Sequence, residues 1–407
     1  MTLPDTAPHR KALADRLTDQ GHLSSPAWRA AIEAIPREVF LSSGVFLPDD
    51  DTGLWQPVTP DSVAPHDWVE IAYSDQSLVT QLDGHLTPDQ ATEPVQGFPT
   101  SSSTVPATVV GMLEALEVED GHNAAEIGTG TGYSTALMCH RLGEDNVTSI
   151  EVDPHIAANA DAALEKAGFS TWTVTGDGLL GNPHRAPYDR LIATCAVRRI
   201  PYAWVRQTKP GGIILATLGP GAWSYGTGLA KLTVRDDGTA EGRIIGRSSF
   251  MPARAEAVRP LSGDLAARAA YADSERQTPL SPAVLDEWMP AFLAQLAAPG
   301  AHLVRAVSDG GQETVYLFDT AREAFAALTE DSGGWTVRQG GPVEIWDAIE
   351  GAVTAWQNTG EPDISTVRLK VTPKAHAYWI GGQKITTPSG HRWIGDKHAL
   401  RWEHRLA

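Results

Sequence analysis

Gly128, Gly130 and Gly132 alternate with threonines directly after the run Ala124-Ala125-Glu126-Ile127. Glycine takes up φ > 0 and lets a ligand approach bare backbone, so this stretch predicts a strand, a tight turn and a helix start with a ligand over the turn. A dinucleotide fingerprint, G-x-G-x-x-G, needs a glycine where this chain has Tyr133. Glu151 closes a strand-like run nineteen residues beyond Gly132. At that distance an acidic residue bonds the ribose hydroxyls of an adenosine cofactor in doubly wound folds; the alternative is a solvent-facing carboxylate. Gly176-Asp177-Gly178 ends a third strand, where either an adenine-contacting turn or a plain Asp-Gly turn fits. Asp153, followed by Pro154, reads as a helix N-cap. Glu126, facing the crevice at the end of the first strand, can receive a cofactor's ammonium directly or through water.

The G-x-G-x-G spacing after Glu126 resembles motif I of the S-adenosylmethionine-dependent methyltransferases. Methyl transfer to a carboxylate needs little acid–base chemistry, because the acceptor is already nucleophilic at neutral pH. In-line positioning and exclusion of water matter more. Ser101, Ser102, Ser103 and Thr104 precede a helix expected over 107–117 and supply hydroxyl donors beside an anion-attracting helix N-terminus. Thr104 has a second, compatible reading as the cap of that helix. No H-E-x-x-H, Cys/His cluster or G-x-S-x-G occurs, so neither a metal site nor a serine hydrolase is expected.

The elements that must hold these residues alternate regularly. Helices are expected over 133–142, 154–167 and 203–208, and strands over 147–152, 171–175, 188–194 and 213–217, with a turn at 210–212. This is the pattern of a doubly wound, mostly parallel α/β sheet covered on both faces. A closing antiparallel hairpin is expected over 229–250. Upstream, 11–47 reads as helical, 68–73 as strand-like and 82–99 as a long loop of the kind that forms lids or binding segments. Beyond residue 254 the chain carries seven of its thirteen tryptophans and mixes helical and strand-like stretches, an added α+β domain. Tryptophan enrichment there reads first as core packing. The expected organisation is an N-terminal helical segment and long loop over 1–100 contributing to the substrate site, a cofactor-binding core over 101–254 and an accessory, peptide-recognising domain over 255–407.

At 407 residues, 42% hydrophobic and 20% charged, the chain is that of a globular protein. Its net charge of -18 argues against nucleic acid or an anionic membrane as partner. Two cysteines imply no disulfide framework, and the polar N-terminus and lack of a long apolar run imply a cytoplasmic location.

An ordered set of motifs over 11–254 resembles the protein-L-isoaspartate O-methyltransferase family. Residues 34–40 (A-I-P-R-E-V-F) are similar to its I-x-x-V-P-R-x-x-F, and Tyr73-Ser74-Asp75 to its Y-x-D. Residues 101–112 stand where the family has Q-T-I-S-x-P-x-x-V-A-x-M, and 126–133 resemble E-I-G-T-G-S-G-Y. Residues 187–189, 205–212 and 250–254 are similar to P-Y-D, L-x-x-Q-L-K-P-G-G and F-V-P-L-R. The resemblance implies a class I methyltransferase-like fold using S-adenosylmethionine and releasing S-adenosylhomocysteine. It implies a cofactor site at Glu126, Gly128, Thr129, Gly130, Gly132, Tyr133, Glu151, Val152, Asp177 and Gly178. It implies an acceptor site at Asp75, Ser102, Ser103 and Thr104, the last standing at the family's serine position. The loop 81–99 replaces a short family stretch, and the chain continues past 254. The tryptophan-bearing region past 254 and the form Y-S-D-Q-S-L-V-T-Q over 73–81 resemble long actinobacterial relatives associated with lanthipeptide-type peptides, which implies methylation of an aspartate in a cyclised precursor, then closure to aspartimide and opening to isoaspartate. A general isoaspartyl repair enzyme and a non-catalytic peptide-docking module are the alternatives.

Overall fold

The computed structural model describes residues 4–223, 225–258, 261, 263–307, 311–380 and 400–405, the side chains of the last stretch excepted. Two compact units emerge, residues 1–195 with 203–215, and residues 196–202 with 216–407.

In the first unit, helices α1 (Ala7–Asp19) and α2 (Pro26–Ala34) lead into a short 3-10 turn, Arg37–Leu41. Trp28, Ala31 and Ile32 are buried at helical spacing on α2, which proline opens at its first position. The chain then forms β1 (Val45–Asp49), β2 (Leu54–Val58), α3 (Pro65–Ala72), β3 (Leu78–Leu82) and β4 (Pro99–Ser103). The strand expected over 68–73 is therefore a helix. Trp68, Val69 and Ala72 are buried along one side of α3, and Pro65 starts it, whereas a short apolar run alone fits either element. The four strands make an antiparallel sheet in the order β2-β1-β3-β4. Between β3 and β4 the long loop holds one 3-10 turn at Pro88–Gln90.

The second layer follows the α/β alternation. Helix α4 (Pro106–Ala115) precedes β5 (Ala124–Ile127), α5 (Tyr133–Leu142), β6 (Val147–Glu151), α6 (Pro154–Lys166) and β7 (Trp172–Thr175). Then come β8 (Tyr188–Val197), α7 (Tyr202–Gln207) and β9 (Thr208–Leu218). β5 pairs in parallel with β6 and β8, and β6 with β7. All residues of β5 and β6 are buried, as strands covered on both faces require. The turn expected at 210–212 lies inside β9 instead; Gly211, at φ +80°, bends the strand without ending it.

The second unit is α+β. β10 (Gly228–Val234) and β11 (Ala240–Arg247) form the expected hairpin. After α8 (Leu265–Arg268) and β12 (Ser274–Thr278) follow α9 (Trp288–Ala297), β13 (His302–Val307), β14 (Glu313–Asp319), β15 (Ala324–Asp331) and β16 (Gly334–Gly340). Helix α10 (Ile345–Gln357), β17 (Val367–Val371), β18 (Ala375–Ile380) and β19 (Leu400–Arg405) complete it. One antiparallel sheet runs β12-β16-β15-β14-β13, and β11 carries β17, β18 and β19 beside it. Trp346 is wholly buried with its indole N–H on Thr278 Oγ1 at 2.9 Å, and Trp356 donates to Pro362 O, so these tryptophans are core. Trp393 lies outside the described residues.

Candidate functional site

The glycine loop leaves β5 at the end of the parallel strands, where open α/β sheets bind ligands. Gly128, Gly130 and Gly132 take φ of +95°, +54° and +89°. A Cβ on Gly128 would stand 3.0 Å from Thr194 Oγ1, and one on Gly132 3.3 Å from Ala160 Cβ, so a side chain at either position meets a strained backbone and a tight neighbour. A Cβ on Gly130 would meet Ser102 O at 3.5 Å, which puts the serine run beside the loop.

Beneath the loop sits a closed polar network. Ser134 and Thr135 donate to the two oxygens of Glu126 at 2.5 Å each, and Ser149 donates to it at 2.7 Å. Thr129 Oγ1 meets Ser149 Oγ at 2.6 Å. Glu126 has no exposed surface, and burial pushes its carboxyl up from the ordinary range despite the three hydroxyls. Glu126 and Thr129 thus brace the loop from below rather than face its mouth, a correction to the direct ammonium contact expected for Glu126. The physical reason is that an unpaired buried carboxylate is so costly that the nearest hydroxyls turn to it. Tyr133 likewise turns inward. It is buried edge-on to Phe40, with the Arg37 guanidinium carbon 5.9 Å from its ring centre, and burial pushes its phenol up to about 12.

Glu151 gathers the next three segments. Its Oε2 accepts from Gly130 N–H at 2.9 Å and its Oε1 from Asp153 N–H at 3.1 Å, while Gly176 N–H donates to its carbonyl at 2.8 Å. Asp153 caps α6 through His155 and Ile156 N–H. Val152 beside it is 44% exposed, an apolar face next to an acidic one. Asp177 is exposed and holds its own turn through Leu179 N–H at 2.9 Å. Gly178 must be glycine, since a Cβ would stand 2.4 Å from Ile127 Cγ2. An acidic corner, an apolar wall and a bare-backbone loop together can hold an adenosine-type ligand.

The hydroxyl run divides by burial. Ser101 and Ser103 are buried, and Ser102 and Thr104 are half-buried. Ser101 Oγ accepts from Thr80 at 3.1 Å, and Ser103 Oγ accepts from Arg37 Nε at 3.3 Å and Nη2 at 3.2 Å. Thr104 does not cap α4. The N-cap is Val105, without a side-chain bond, and Ala107 N–H donates to Asp75 Oδ1 at 3.4 Å instead. A carboxylate arriving from a separate turn fills the place that local sequence assigns to Thr104, leaving its hydroxyl for other work.

Sequence reasoning singled out neither Arg37 nor Gln81, though Arg37 stands in a quoted motif. Arg37 is wholly buried and burial lowers its pKa to about 10. Gln81, 1% exposed, donates to Asp153 Oδ2 at 3.1 Å and accepts from Thr100 Oγ1 at 2.8 Å. The only sequence signal for either is a long polar side chain inside an apolar stretch. No group of three His, Cys, Asp or Glu arranged to hold a metal, and no helix long and apolar enough to cross a membrane, occurs among the described residues.

Residues 63–257 match the family model for protein-L-isoaspartate (D-aspartate) O-methyltransferase. The chain is 38% identical over 133 residues to the protein-L-isoaspartate O-methyltransferase of Ignicoccus hospitalis, covering 32% of this chain and 62% of that one. With that of Anaeromyxobacter dehalogenans it shares 43% identity over 28% of this chain and 54% of the relative, so the chain spans little more than half of these curated relatives. With that of Thermococcus onnurineus it shares 34% identity over 39% of this chain and 71% of the relative. A solved protein-L-isoaspartate O-methyltransferase shares the fold at TM-score 0.52 and 23% identity, covering 89% of this chain and 96% of its own. With motifs, loop geometry and relatives in agreement, this chain belongs to the protein-L-isoaspartate O-methyltransferase family.

Proposed function

We propose that this chain is an S-adenosylmethionine-dependent carboxyl O-methyltransferase whose acceptor is an aspartyl or isoaspartyl carboxylate in a peptide or protein. The observation that carries the reading is the approach of the Ser102 carbonyl to Gly130, which sets an acceptor-orienting strand against a cofactor loop. The residues fit the cofactor. Glu151 offers acceptors to ribose hydroxyls, Val152 and the 176–178 turn offer an adenine slot, and the positive-φ glycines leave room over the backbone. When bound, S-adenosylmethionine supplies an electrophilic methyl group for a carboxylate oxygen and leaves as S-adenosylhomocysteine.

The chain's own residues bind and orient. Thr104, half-buried and off the helix cap, presents a hydroxyl to one carboxylate oxygen, while Ser103 is held back by Arg37. Ser102, also half-buried, flanks it. Asp75 keeps the α4 N-terminus in place behind them. No general base is needed, because the acceptor carries no proton at neutral pH.

For the acceptor we further propose an ordinary aspartate in a cyclised, ribosomally made peptide of the lanthipeptide type, whose methyl ester carbonyl is attacked by the following backbone nitrogen, the methoxy group leaving as methanol with the amide proton. The resulting aspartimide opens to isoaspartate. The support is the long 83–98 loop, anchored at its base by Gln81 and Thr100, where the family resemblance has a short stretch. General repair of L-isoaspartyl residues is the second reading. It is favoured by the Thermococcus onnurineus protein-L-isoaspartate O-methyltransferase, 34% identical over 71% of its length. Mass spectrometry of linear isoaspartyl peptides and cyclised aspartyl peptides, each incubated with enzyme and S-adenosylmethionine, separates them. Methylation of the cyclised aspartate supports tailoring, and methylation of isoaspartate alone overturns it. No turnover with either class would leave a docking module.

A further inference from the structure

Arg37 is a buried cation of the site to which no carboxylate among the described residues is hydrogen-bonded. Its side chain has no exposed surface. Nη1 donates to Ala72 O at 2.8 Å and Ser74 O at 3.0 Å. Nη2 reaches Gln76 O, Ser103 O and Thr104 O at 3.3–3.5 Å, and Ser103 Oγ at 3.2 Å. All of these acceptors are neutral. Asp75 gives Arg37 some electrostatic support without a hydrogen bond to it, its Oδ1 accepting from Ala107 N–H, and Glu38 accepts from Thr6 and Tyr73.

Tying carbonyls together needs donors but not a full charge. A buried cation with no anion hydrogen-bonded to it is costly, and neutral dipoles repay that cost only in part. The carbonyls it grips belong to the two segments that carry Asp75 and Thr104. Its charge therefore lies against the backbone carbonyl of Thr104, the residue whose hydroxyl is proposed to meet an acceptor carboxylate.

We propose that Arg37 is a positioning residue whose buried charge is completed by the acceptor carboxylate, so that the pocket selects an ionised acceptor over a neutral one. This rests on the carboxylate-acceptor reading above. The field acts through the Ser103–Thr104 backbone without contact, which draws the anion in without locking its nucleophilic oxygens in a bidentate clamp.

The test uses the full chain saturated with S-adenosylhomocysteine and a matched pair of probes, an isoaspartyl peptide and its isoasparaginyl twin, in which the acceptor carboxylate is a carboxamide. Calorimetry gives the affinity ratio for wild type, Arg37→Lys, Arg37→Met and Ser103→Ala. Wild type is expected to favour the carboxylate by about 30- to 100-fold, the size of one partly screened charge interaction. Arg37→Met should lose most of that ratio while its affinity for S-adenosylhomocysteine and for the amide twin stays within about threefold. Arg37→Lys and Ser103→Ala, which keep the charge, should retain the ratio.

An Arg37→Met variant that weakens both twins equally has lost structure, not charge, and overturns the proposal. So does an Arg37→Lys that folds but no longer discriminates. If Arg37→Met does not fold, the Lys and Ser103→Ala ratios decide. A wild type that binds S-adenosylhomocysteine and neither twin overturns the carboxylate-acceptor reading itself, and this proposal with it.

Discussion

Gln81 Nε2 donates to Asp153 Oδ2 at 3.1 Å, joining the base of the long loop to the corner that holds Glu151. Asp153 passes the link on, since its own N–H donates to Glu151 Oε1 at 3.1 Å. β3, which pairs with the serine-bearing β4, and the corner around Glu151 are thereby one hydrogen-bonded unit. Gln81→Leu is expected to cost about 1 kcal/mol of stability. Binding of S-adenosylhomocysteine should weaken about three- to tenfold because Glu151 loses its support. Denaturant unfolding and calorimetry check the two effects separately; unchanged binding would show that Glu151 needs no such support.

Thr104 and Asp75 exchange the roles that their positions suggest. Thr104→Val should leave unfolding free energy within about 0.5 kcal/mol, since no cap is lost. It should lower kcat/KM about 10- to 100-fold, or by roughly 1.4–2.7 kcal/mol of transition-state binding. Asp75→Ala should cost about 0.5–1 kcal/mol of stability through the lost α4 N–H contact, at the low end because that bond is long. Parallel unfolding and steady-state assays read both. A Thr104→Val as destabilised as Asp75→Ala would contradict the assignment.

Glu126 makes stability depend on pH in a defined sense. Its carboxyl is raised from the ordinary 4.5 by burial, so between 4.5 and the raised value the folded state binds more protons than the unfolded one. Stability contributed by this group is therefore greatest at low pH and falls as pH rises through that window. Urea unfolding of wild type and Glu126→Gln across pH 4–8 isolates it. The difference between them should shift towards wild type as pH falls, and a flat difference would refute the raised carboxyl.

Gly178 tolerates no side chain, because a Cβ would meet Ile127 Cγ2 at 2.4 Å. Gly178→Ala is expected to cost about 1–3 kcal/mol, typical of overpacking, and to displace the 176–178 turn. The double variant with Ile127→Ala should recover part of the S-adenosylhomocysteine affinity that the single variant loses. If calorimetry finds no such recovery, the collision is not what sets the turn.

What was legible in the chain was local. Asp153 followed by proline caps α6, as its type and position require. Gly143, at φ +84°, ends α5 where the apolar pattern stops. Where two local readings were both sterically allowed, the pattern decided less. The run 68–73 suits a strand or a helix, and α3 forms because Trp68, Val69 and Ala72 share a side that the core covers. Thr104 is a competent cap by residue type, yet Asp75 takes the α4 N–H from thirty-two residues upstream.

Residue identity and spacing determined the positive-φ glycine turn after β5, the acid at Glu151 and the hydroxyl run, because steric limits on φ and short-range bonding act within a few residues. The partners of those groups came from folding. Arg37 on Ser103, Gln81 on Asp153 and the three hydroxyls around Glu126 span from 8 to 72 positions of chain. Such pairings arise because each buried polar atom must find whatever complementary group packing brings near it, and a linear pattern does not encode which one that is.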